Sequence, residues 1–345
     1  MILTGCGVEW PFVPTSVAQY RAYGDSITHG FTLDDPATQS YPNLVAKYEH
    51  VTLANNALSA NQACDVPTLQ IFPNQDSPTL ATHPTYSLLI GTNDVTFKGV
   101  GPYEAVFELC HQATISWFAL PAESKVLAGG TVGVTTTGPG AIDTTNNWNS
   151  WTTGGLGSTV SFAITTSYAG PIYAWPRIDD DNPATYSYSV DGVVVGTGSV
   201  QTTPRIATSA AHTTNSLSFL RLPSVRAGKH VVTFTQTSAG ANGVSVVGIG
   251  TPTGPSANSL PTVLVGTIPF HIQNPTDPCN FPKGTCQVYI EDIEADVNLF
   301  SADGLNVRLF DTRKYMFGTP AEMNDMLHPN RLGQMELSRS VEALW

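Results

Sequence analysis

The sequence predicts an α/β fold that is interrupted by a long all-β segment. Up to about residue 120, and again from about residue 259, short apolar runs alternate with stretches whose apolar residues recur at helical spacing. Between them, residues 121–258 carry short runs of Val, Ile, Thr, Ser and Tyr separated by Gly, Pro and Asn. Alternating strands and helices indicate a parallel sheet, whereas short strands with frequent turns indicate a β-sandwich. We therefore expect a discontinuous α/β domain, residues 1–120 and 259–345, and an inserted all-β domain, residues 121–258.

The first part of the α/β domain is predicted to follow a βαβ pattern. Residues 87–90 form a continuous apolar run, as expected for a strand that is buried on both faces of a parallel sheet. The predicted strands are residues 17–23, 50–54 and 87–90, and the predicted helices are Tyr41–Tyr48 and residues 103–117. After the insert, the expected order is a strand at 262–267, a helix at 287–301, a strand at 305–310 and a terminal helix at 331–344.

The insert is predicted to be a sandwich of short strands. Asp191-Gly192 is a hairpin turn signal between two of them. The predicted strands are residues 160–164, 186–190, 193–195, 216–222 and 230–236. Because closing a longer loop costs entropy only logarithmically, a self-folding module can be inserted without disturbing the rest of the chain.

Composition and charge exclude some partner classes. The formal net charge is −12 and the sequence pI is near 4.9, which disfavours nucleic acid and anionic membranes, because both attract basic surfaces. No apolar run approaches the roughly 18 to 20 residues that cross a bilayer. Only 12% of residues are charged, a composition typical of secreted β-rich proteins. We expect a small-molecule or polysaccharide partner and a secreted or extracytoplasmic location.

The cysteines favour an oxidising compartment. Cys279 and Cys286 flank a loop that contains Pro, Gly and Asn, so a disulfide between them is predicted. Cys64 and Cys110 either pair or remain buried thiols, and both alternatives stay open. Residues 3–6, Leu-Thr-Gly-Cys, match the pattern at which bacterial lipoproteins are lipidated, but they lack the charged start and apolar stretch of a signal, which favours a chance match over lipidation of the cysteine, Cys6.

Four short segments supply the groups of a serine hydrolase. They are Gly24-Asp25-Ser26-Ile27, residues 55–60, Gly91-Thr92-Asn93-Asp94 and Asp325-Met326-Leu327-His328. A serine hydroxyl is a poor nucleophile at neutral pH. It needs a histidine to accept its proton, a carboxylate to orient that histidine, and donors for the developing oxyanion.

Each candidate residue also has a purely structural interpretation. Ser26 follows a strand and Gly24, where a tight turn can expose a hydroxyl at the carboxyl end of a sheet, but it can instead cap a helix. The Asn93 amide can donate to an oxyanion or can form a turn. Asp325 and His328 have the spacing that lets the carboxylate reach Nδ1 while Nε2 faces a serine, or they can be an unrelated acid and base on a surface loop.

On these motifs the chain resembles the SGNH hydrolases, also called the GDSL esterase family. The resemblance implies a three-layer α/β/α, flavodoxin-like domain with a parallel sheet, here interrupted by a jelly-roll-like sandwich. It implies that Ser26 is the nucleophile, that Asp325 and His328 complete the triad, and that Ser26, Ala60 and Asn93 form the oxyanion hole. It implies no metal and no organic cofactor.

One segment departs from the family. Ala57 and Ala60 stand where the family usually has glycine. The contribution of the residue at position 60 is its backbone N–H, which alanine keeps. Alanine is tolerable there only if its φ is negative, because Cβ penalises positive φ.

The substrate class predicted from these observations is an O-acetylated carbohydrate. The aromatics of the insert can present platforms for sugar rings or can fill its core, and Trp148 and Trp151 lie in the most polar surroundings. Asp25 and His29 are further candidates for substrate binding. The acidic residues 179–182 offer oxygen ligands to Ca²⁺ or form a solvated loop. The rival functions are a lipolytic carboxylesterase for longer acyl chains and a non-catalytic carbohydrate-binding or adhesion protein on a relic hydrolase fold.

Overall fold

The computed structural model describes residues 19–72, 84–99, 102–130, 132–143, 149–179, 184–199, 215–239, 243–254, 260–272, 279 and 286–345. Cys6, Trp148 and residues 180–182, for which the sequence gives predictions, lie outside these ranges.

The helices and strands follow the predicted order. The strands are β1 (Tyr20–Gly24), β2 (Leu53–Asn55), β3 (Thr85–Leu89), β4 (Lys125–Leu127), β5 (Val134–Thr137), β6 (Gly140–Asp143), β7 (Ser150–Thr153), β8 (Thr159–Thr166), β9 (Gly170–Asp179), β10 (Thr185–Val190), β11 (Val193–Ser199), β12 (Asn215–Leu217), β13 (Leu220–Val225), β14 (Gly228–Gln236), β15 (Ser245–Gly250), β16 (Thr262–Gly266) and β17 (Val307–Phe310). The helices are α1 (Ser26–His29), α2 (Pro36–Gln39), α3 (Tyr41–Tyr48), α4 (Thr92–Lys98), α5 (Pro102–Ala119), α6 (Gln287–Ala302) and α7 (Arg331–Glu342). Short π- and 3₁₀-helical turns lie at Val66–Ile71, Ala122–Ser124 and Thr312–Lys314.

A parallel sheet forms from strands at both ends of the chain. Within the described residues its order is β2-β1-β3-β16-β17. Alternate residues face opposite sides: Leu264 packs in a core with residues of α3 and α7, whereas Val263 and Val265 pack in a core with residues of α5 and α6. The sheet is therefore covered by helices on both faces, which explains why its strands are almost continuously apolar.

The residues between β3 and β16 form antiparallel sheets. In the described ranges one sheet has the order β11-β10-β14-β8-β5, and the other is built on β12-β9-β15-β7-β6 with β13 and β4 paired beside it. Side chains such as Phe162 and Phe234 fill the core between them. The turn at Asp191-Gly192 joins β10 to β11 as predicted. The protein is thus a mixed α/β structure with a parallel sheet and a β-rich part.

Several predicted strands differ in their bounds from those observed, and two of the differences have a clear physical cause. The run 216–222 is divided into β12 and β13, because Ser218 leaves the ladder and bonds the carbonyl oxygen of Pro176 through both its N–H and its hydroxyl. The strand predicted at 50–54 begins only at Leu53. The Val51 N–H still bonds the Ala46 carbonyl at the end of α3, and His50 takes a positive φ of 56°.

The β-rich part has a core of its own and also shares one with the helices of the parallel sheet. Along β9, Ile172 and Ala174 point into the sandwich, whereas Tyr173 and Trp175 point toward α5 and α6. The Trp175 indole N–H donates to Ser116 Oγ at 3.0 Å. The sequence favours a self-folding insert, but this face of the β-rich part is buried against the remainder of the chain.

Polar contacts join the same two parts of the chain, and two disulfides lie on the α/β side of that contact. Tyr173 Oη donates to Asp303 Oδ2 at 2.7 Å, and the Arg221 guanidinium bonds both oxygens of that carboxylate at 2.8 and 2.6 Å. A disulfide joins Cys279 to Cys286, as predicted. A second disulfide joins Cys64, in the loop after β2, to Cys110 in α5, which settles the alternative that the sequence left open.

None of the helices among the described residues is both long enough and apolar enough to cross a membrane.

Candidate active site

Ser26 begins α1 immediately after the carboxyl end of β1. The strand ends at Gly24, where a Cβ atom would lie 2.3 Å from both the Leu89 carbonyl oxygen and Thr28 Oγ1, so only glycine fits. β1 and β3 are adjacent in the sheet, and the chain leaves them toward opposite faces. Crevices at the carboxyl ends of such strands are where open α/β sheets bind ligands.

Asp325, His328 and Ser26 form one continuous hydrogen-bonded series. His328 Nε2 lies 3.0 Å from Ser26 Oγ, and His328 Nδ1 lies 2.8 Å from Asp325 Oδ2. Asp325 Oδ1 accepts from the backbone N–H of His328 at 2.7 Å and from that of Leu327 at 2.8 Å. Partial burial would raise the pKa of Asp325, but the bonds from the imidazole and the two N–H groups outweigh it and hold the pKa below its usual value.

The loop that carries His328 is fixed at both ends. The Asn324 N–H bonds the His328 carbonyl at 2.8 Å, and Asn330 caps α7 by accepting from two backbone N–H groups. The ring of Phe31 meets the imidazole edge-on, with centroids 4.9 Å apart, and is 51% exposed. The Asn324 amide donates to the carbonyl and hydroxyl oxygens of Thr32, so the segment after α1 is fastened to the histidine loop.

Asn93 lies in the first turn of α4 and is buried beside the loop that contains Ala60. Its Nδ2 donates to the Asn61 carbonyl at 2.9 Å, which leaves the second amide hydrogen for another acceptor. The neighbouring Asp94 accepts from the Ala63 N–H at 3.0 Å. The loop after Ala60 is therefore fastened to α4 by both residues.

Ala60 takes a positive φ of 67°, against the expectation of a negative value. The Asn61 N–H bonds the Leu58 carbonyl, which places Ser59 and Ala60 at the centre of a β-turn. Ser59 is not among the residues with positive φ, so the turn is of type II, whose third residue requires positive φ and favours glycine. The alanine keeps the N–H and bears the steric cost of this conformation.

Gln70 is a site residue that the sequence did not suggest. It is fully buried in the π-helical turn, its Oε1 accepts from the Gly24 N–H at 3.1 Å, and its Nε2 donates to the Gly24 carbonyl at 2.7 Å. The same nitrogen donates to Asn61 Oδ1 at 2.8 Å. No motif or periodicity marks this glutamine. Phe31 was also missed, although its position directly behind α1 is a signal that the sequence offers.

The substrate-binding candidates are placed in different environments. Asp25 is 1% exposed and caps α1 by accepting from the Ile27 N–H at 2.9 Å, so its side chain is not accessible for the substrate binding that was predicted. Burial raises its pKa to about 7. His29 is exposed, and its Nδ1 lies 3.2 Å from the Ala57 carbonyl oxygen, beside the Ala60 loop.

The prediction that Trp151 presents an exposed platform for sugar rings is wrong. Trp151 is 3% exposed and fills the sandwich core, because its ring packs over Gly140 on the neighbouring strand β6. Tyr173, Trp175 and Tyr186 are buried as well, whereas Tyr168 is half-exposed. The described residues contain no group of three or more His, Cys, Asp or Glu side chains arranged to hold a metal ion.

Comparisons with solved structures give distant matches, of which three are described here. No protein-family model matches the chain, and no curated protein matches it. Among solved structures, a two-domain esterase (CEX) active on acetylated mannans, co-crystallised with mannopentaose, aligns with 12% identity over 68% of this chain and 91% of that chain, with a TM-score of 0.36.

Carbohydrate-binding modules align with about a third of the chain. The CBM35 from Paenibacillus barcinonensis shares 14% identity over 36% of this chain and 94% of that chain, with a TM-score of 0.26. The CBM35 from Cellvibrio japonicus Abf62 shares 19% identity over 36% of this chain and 92% of that chain, with a TM-score of 0.28. Because all three TM-scores lie below 0.5, neither fold nor function is inferred from these matches.

Proposed function

We propose that this chain is a serine esterase of the SGNH type. The observation that carries the proposal is the hydrogen-bonded series from Asp325 through His328 to Ser26 Oγ, with distances of 2.8 and 3.0 Å. These residues are as much as 302 positions apart in sequence, and they meet at the carboxyl ends of the parallel strands. A histidine bonded on one nitrogen to a carboxylate and on the other to a serine is the arrangement that activates a hydroxyl nucleophile.

The proposed mechanism is a double displacement. Ser26 Oγ attacks the ester carbonyl while His328 Nε2 accepts the hydroxyl proton, and Asp325 stabilises the imidazolium. The oxyanion receives hydrogen bonds from the backbone N–H groups of Ser26 and Ala60 and from Asn93 Nδ2. His328 then gives its proton to the departing alcohol and activates the water that hydrolyses the acyl-enzyme. The mechanism requires no metal and no organic cofactor.

The proposed fold is a flavodoxin-like catalytic domain with an inserted jelly-roll-like sandwich. The strand order β2-β1-β3-β16-β17 matches the 2-1-3-4-5 order of flavodoxin-like sheets, and the site lies where the order reverses between β1 and β3. We assign residues 1–120 and 259–345 to the catalytic domain and 121–258 to the sandwich. The two disulfides support an extracytoplasmic location.

The proposed substrate is an O-acetylated carbohydrate. The net charge of −12 favours an uncharged substrate, and the half-exposed Phe31 ring beside His328 offers a flat apolar surface on which a sugar ring can stack. A longer acyl chain is the second candidate. The exposure of Met326, within the histidine loop, together with that of Phe31 favours it.

The test compares hydrolysis of p-nitrophenyl acetate, butyrate and octanoate, together with acetate release from acetylated polysaccharides. Ser26→Ala is the blank, and Asp325→Asn is expected to lose activity by about 10⁴-fold if Asp325 orients His328. Best turnover on acetate together with acetate release identifies a carbohydrate deacetylase, and best turnover on octanoate identifies the lipolytic alternative. Turnover no higher than that of Ser26→Ala on every substrate would refute the esterase.

A further inference from the structure

We propose that Gln70 is a positioning residue that sets the geometry of the oxyanion hole, an inference that rests on the proposed esterase function. Its amide is the link between the strand end that carries the nucleophile and the loop that carries Ala60. It acts through its hydrogen bonds to the backbone of Gly24 and to the side chain of Asn61.

The three proposed oxyanion donors all connect to this link. Gly24, bonded by Gln70 through both its N–H and its carbonyl, lies two residues before Ser26. Asn61, whose Oδ1 accepts from Gln70 Nε2, directly follows Ala60. The Asn61 carbonyl in turn accepts from Asn93 Nδ2. A shift of the Gln70 amide therefore moves the donors relative to one another.

Glutamine is the side chain that these contacts require. One acceptor oxygen serves the Gly24 N–H, and the two hydrogens of Nε2 serve the Gly24 carbonyl and Asn61 Oδ1. The amide has one carbonyl oxygen and two N–H donors, so each of these groups is used. Gln70 is fully buried, and water cannot replace the bonds if the amide is removed.

The local backbone presents Gln70 in an unusual way. The turn Val66–Ile71 is π-helical, and the Phe72 N–H bonds the Pro67 carbonyl five residues earlier at 3.2 Å. π-helical turns are rare in proteins overall, but many of those that occur lie at functional sites. Cys64, two residues before the turn, is joined to α5 by its disulfide, which restrains the chain at the start of the turn.

The test separates a positioning role from a loss of stability. Gln70→Met keeps the unbranched shape and removes all three bonds, and Gln70→Glu keeps the acceptor but removes both donors. The matched control is Gln236→Met, because Gln236 is also buried and bonds Thr153 Oγ1 and the Ser238 carbonyl, but lies in the β-rich part. Melting temperatures are recorded for all three variants.

We expect Gln70→Met and Gln236→Met to lose comparable stability, and only the Gln70 variants to lose activity. On p-nitrophenyl acetate their kcat should fall about 10- to 100-fold with KM changed less than about threefold, since removing one oxyanion donor outright costs about 10²- to 10³-fold. The affinity for a trifluoromethyl ketone, which forms a tetrahedral adduct with the serine, should weaken by the same factor as kcat/KM. Asn93→Ala should then cost less in the Gln70→Met background than in the wild type.

Two results would contradict the role, and they differ from failure of the proposed function. Equal kcat in Gln70→Met and Gln236→Met, or unchanged ketone affinity in the Gln70 variants, would overturn the role of Gln70 alone. Absence of Ser26-dependent turnover and of ketone binding in the wild type would overturn the esterase and the role together.

Discussion

The hydroxyl of Ser216 donates a hydrogen bond to the carbonyl oxygen of Cys64 at 2.6 Å, across 152 positions of sequence. Ser216 lies in β12 of the β-rich part, and Cys64 lies in the loop that follows Ala60 and Asn61. Both residues are buried. The β-rich part therefore contacts the same loop that supplies a proposed oxyanion donor.

Replacing Ser216 by alanine should lower both stability and activity. The substitution removes the donor from a buried carbonyl, which costs about 1–3 kcal/mol of unfolding free energy. Because the freed carbonyl belongs to the Ala60 loop, we expect kcat on p-nitrophenyl acetate to fall a few-fold. Denaturant unfolding and steady-state kinetics measure the two effects.

Ser218→Ala is the matched control for that change. Its hydroxyl donates to the Pro176 carbonyl at 2.8 Å within the β-rich part, so its removal should leave kcat unchanged. Equal kcat in the two variants would show that losing the hydrogen bond to the Cys64 carbonyl does not change the activity of the site.

Ala60→Gly should stabilise the protein while keeping its activity. Glycine removes the steric cost of alanine at positive φ, about 1–2 kcal/mol. It also gives the unfolded chain more conformational entropy, which lowers stability by about 0.4–1 kcal/mol. The net gain in unfolding free energy is therefore about 0.5–1 kcal/mol. The N–H is retained, so kcat should change less than about twofold. Ala57→Gly is the control: its φ is not positive and its methyl is buried, so we expect a loss of stability in denaturant unfolding. A loss of stability in Ala60→Gly as well would show that the turn is not strained.

Stability should decrease as the pH rises from 5 to 8. Burial raises the pKa of Asp25 and of Asp94 to about 7 from the usual 3.8, so between these values the folded state holds protons that the unfolded state has released. A folded state that binds more protons loses stability with rising pH, and the loss is complete above the folded pKa. Melting temperatures should therefore be lower at pH 8 than at pH 5.

Asp94→Asn should make this pH dependence weaker, because the amide oxygen can still accept from the Ala63 N–H but cannot ionise. We expect the variant to gain a few degrees over the wild type at pH 8, on the order of 2–4 °C per kcal/mol. A wild-type slope of the opposite sign would contradict the prediction.

The Cys64–Cys110 disulfide should stabilise the protein more than the Cys279–Cys286 disulfide. The sequence separations are 46 and 7 residues, for which the loop-entropy relation gives about 4 and about 2.5 kcal/mol. Double Cys→Ser variants of each pair, compared by calorimetry, should follow that order. A larger loss from the 279–286 pair would contradict the entropic account.

The sequence predicted that Ser26, Asp325 and His328 lie close together, because its signals for them are local. Asp325 and His328 lie in one loop, Ser26 lies two residues after the glycine that ends β1, and the order of the strands brings these segments to one edge of the sheet. The helix Tyr41–Tyr48 was predicted with its observed bounds, because its apolar residues recur at helical spacing and face a single core.

The features that could not be predicted from the sequence depend on contacts that only the folded chain makes. Trp151 sits in a polar stretch, but pairing of β7 with β6 turns its ring over Gly140 and buries it. Gln70 bonds two backbone groups and one side chain that only the folded chain brings together, so no local pattern reveals it. The positive φ of Ala60 follows from a turn that is set by Leu58 and Asn61 rather than by the alanine itself.

The order of the strands along the chain bears on synthesis by the ribosome. About 170 residues separate Leu89, at the end of β3, from Thr262, where its sheet neighbour β16 begins, and at roughly 5–20 residues per second their translation takes about 9–35 s. Cys64, Cys110 and the Trp175 ring that packs on α5 are all made before β16. In the nascent chain α5 can therefore pack against β1, β3 and the β-rich segment before β16 exists, and the parallel sheet is completed last.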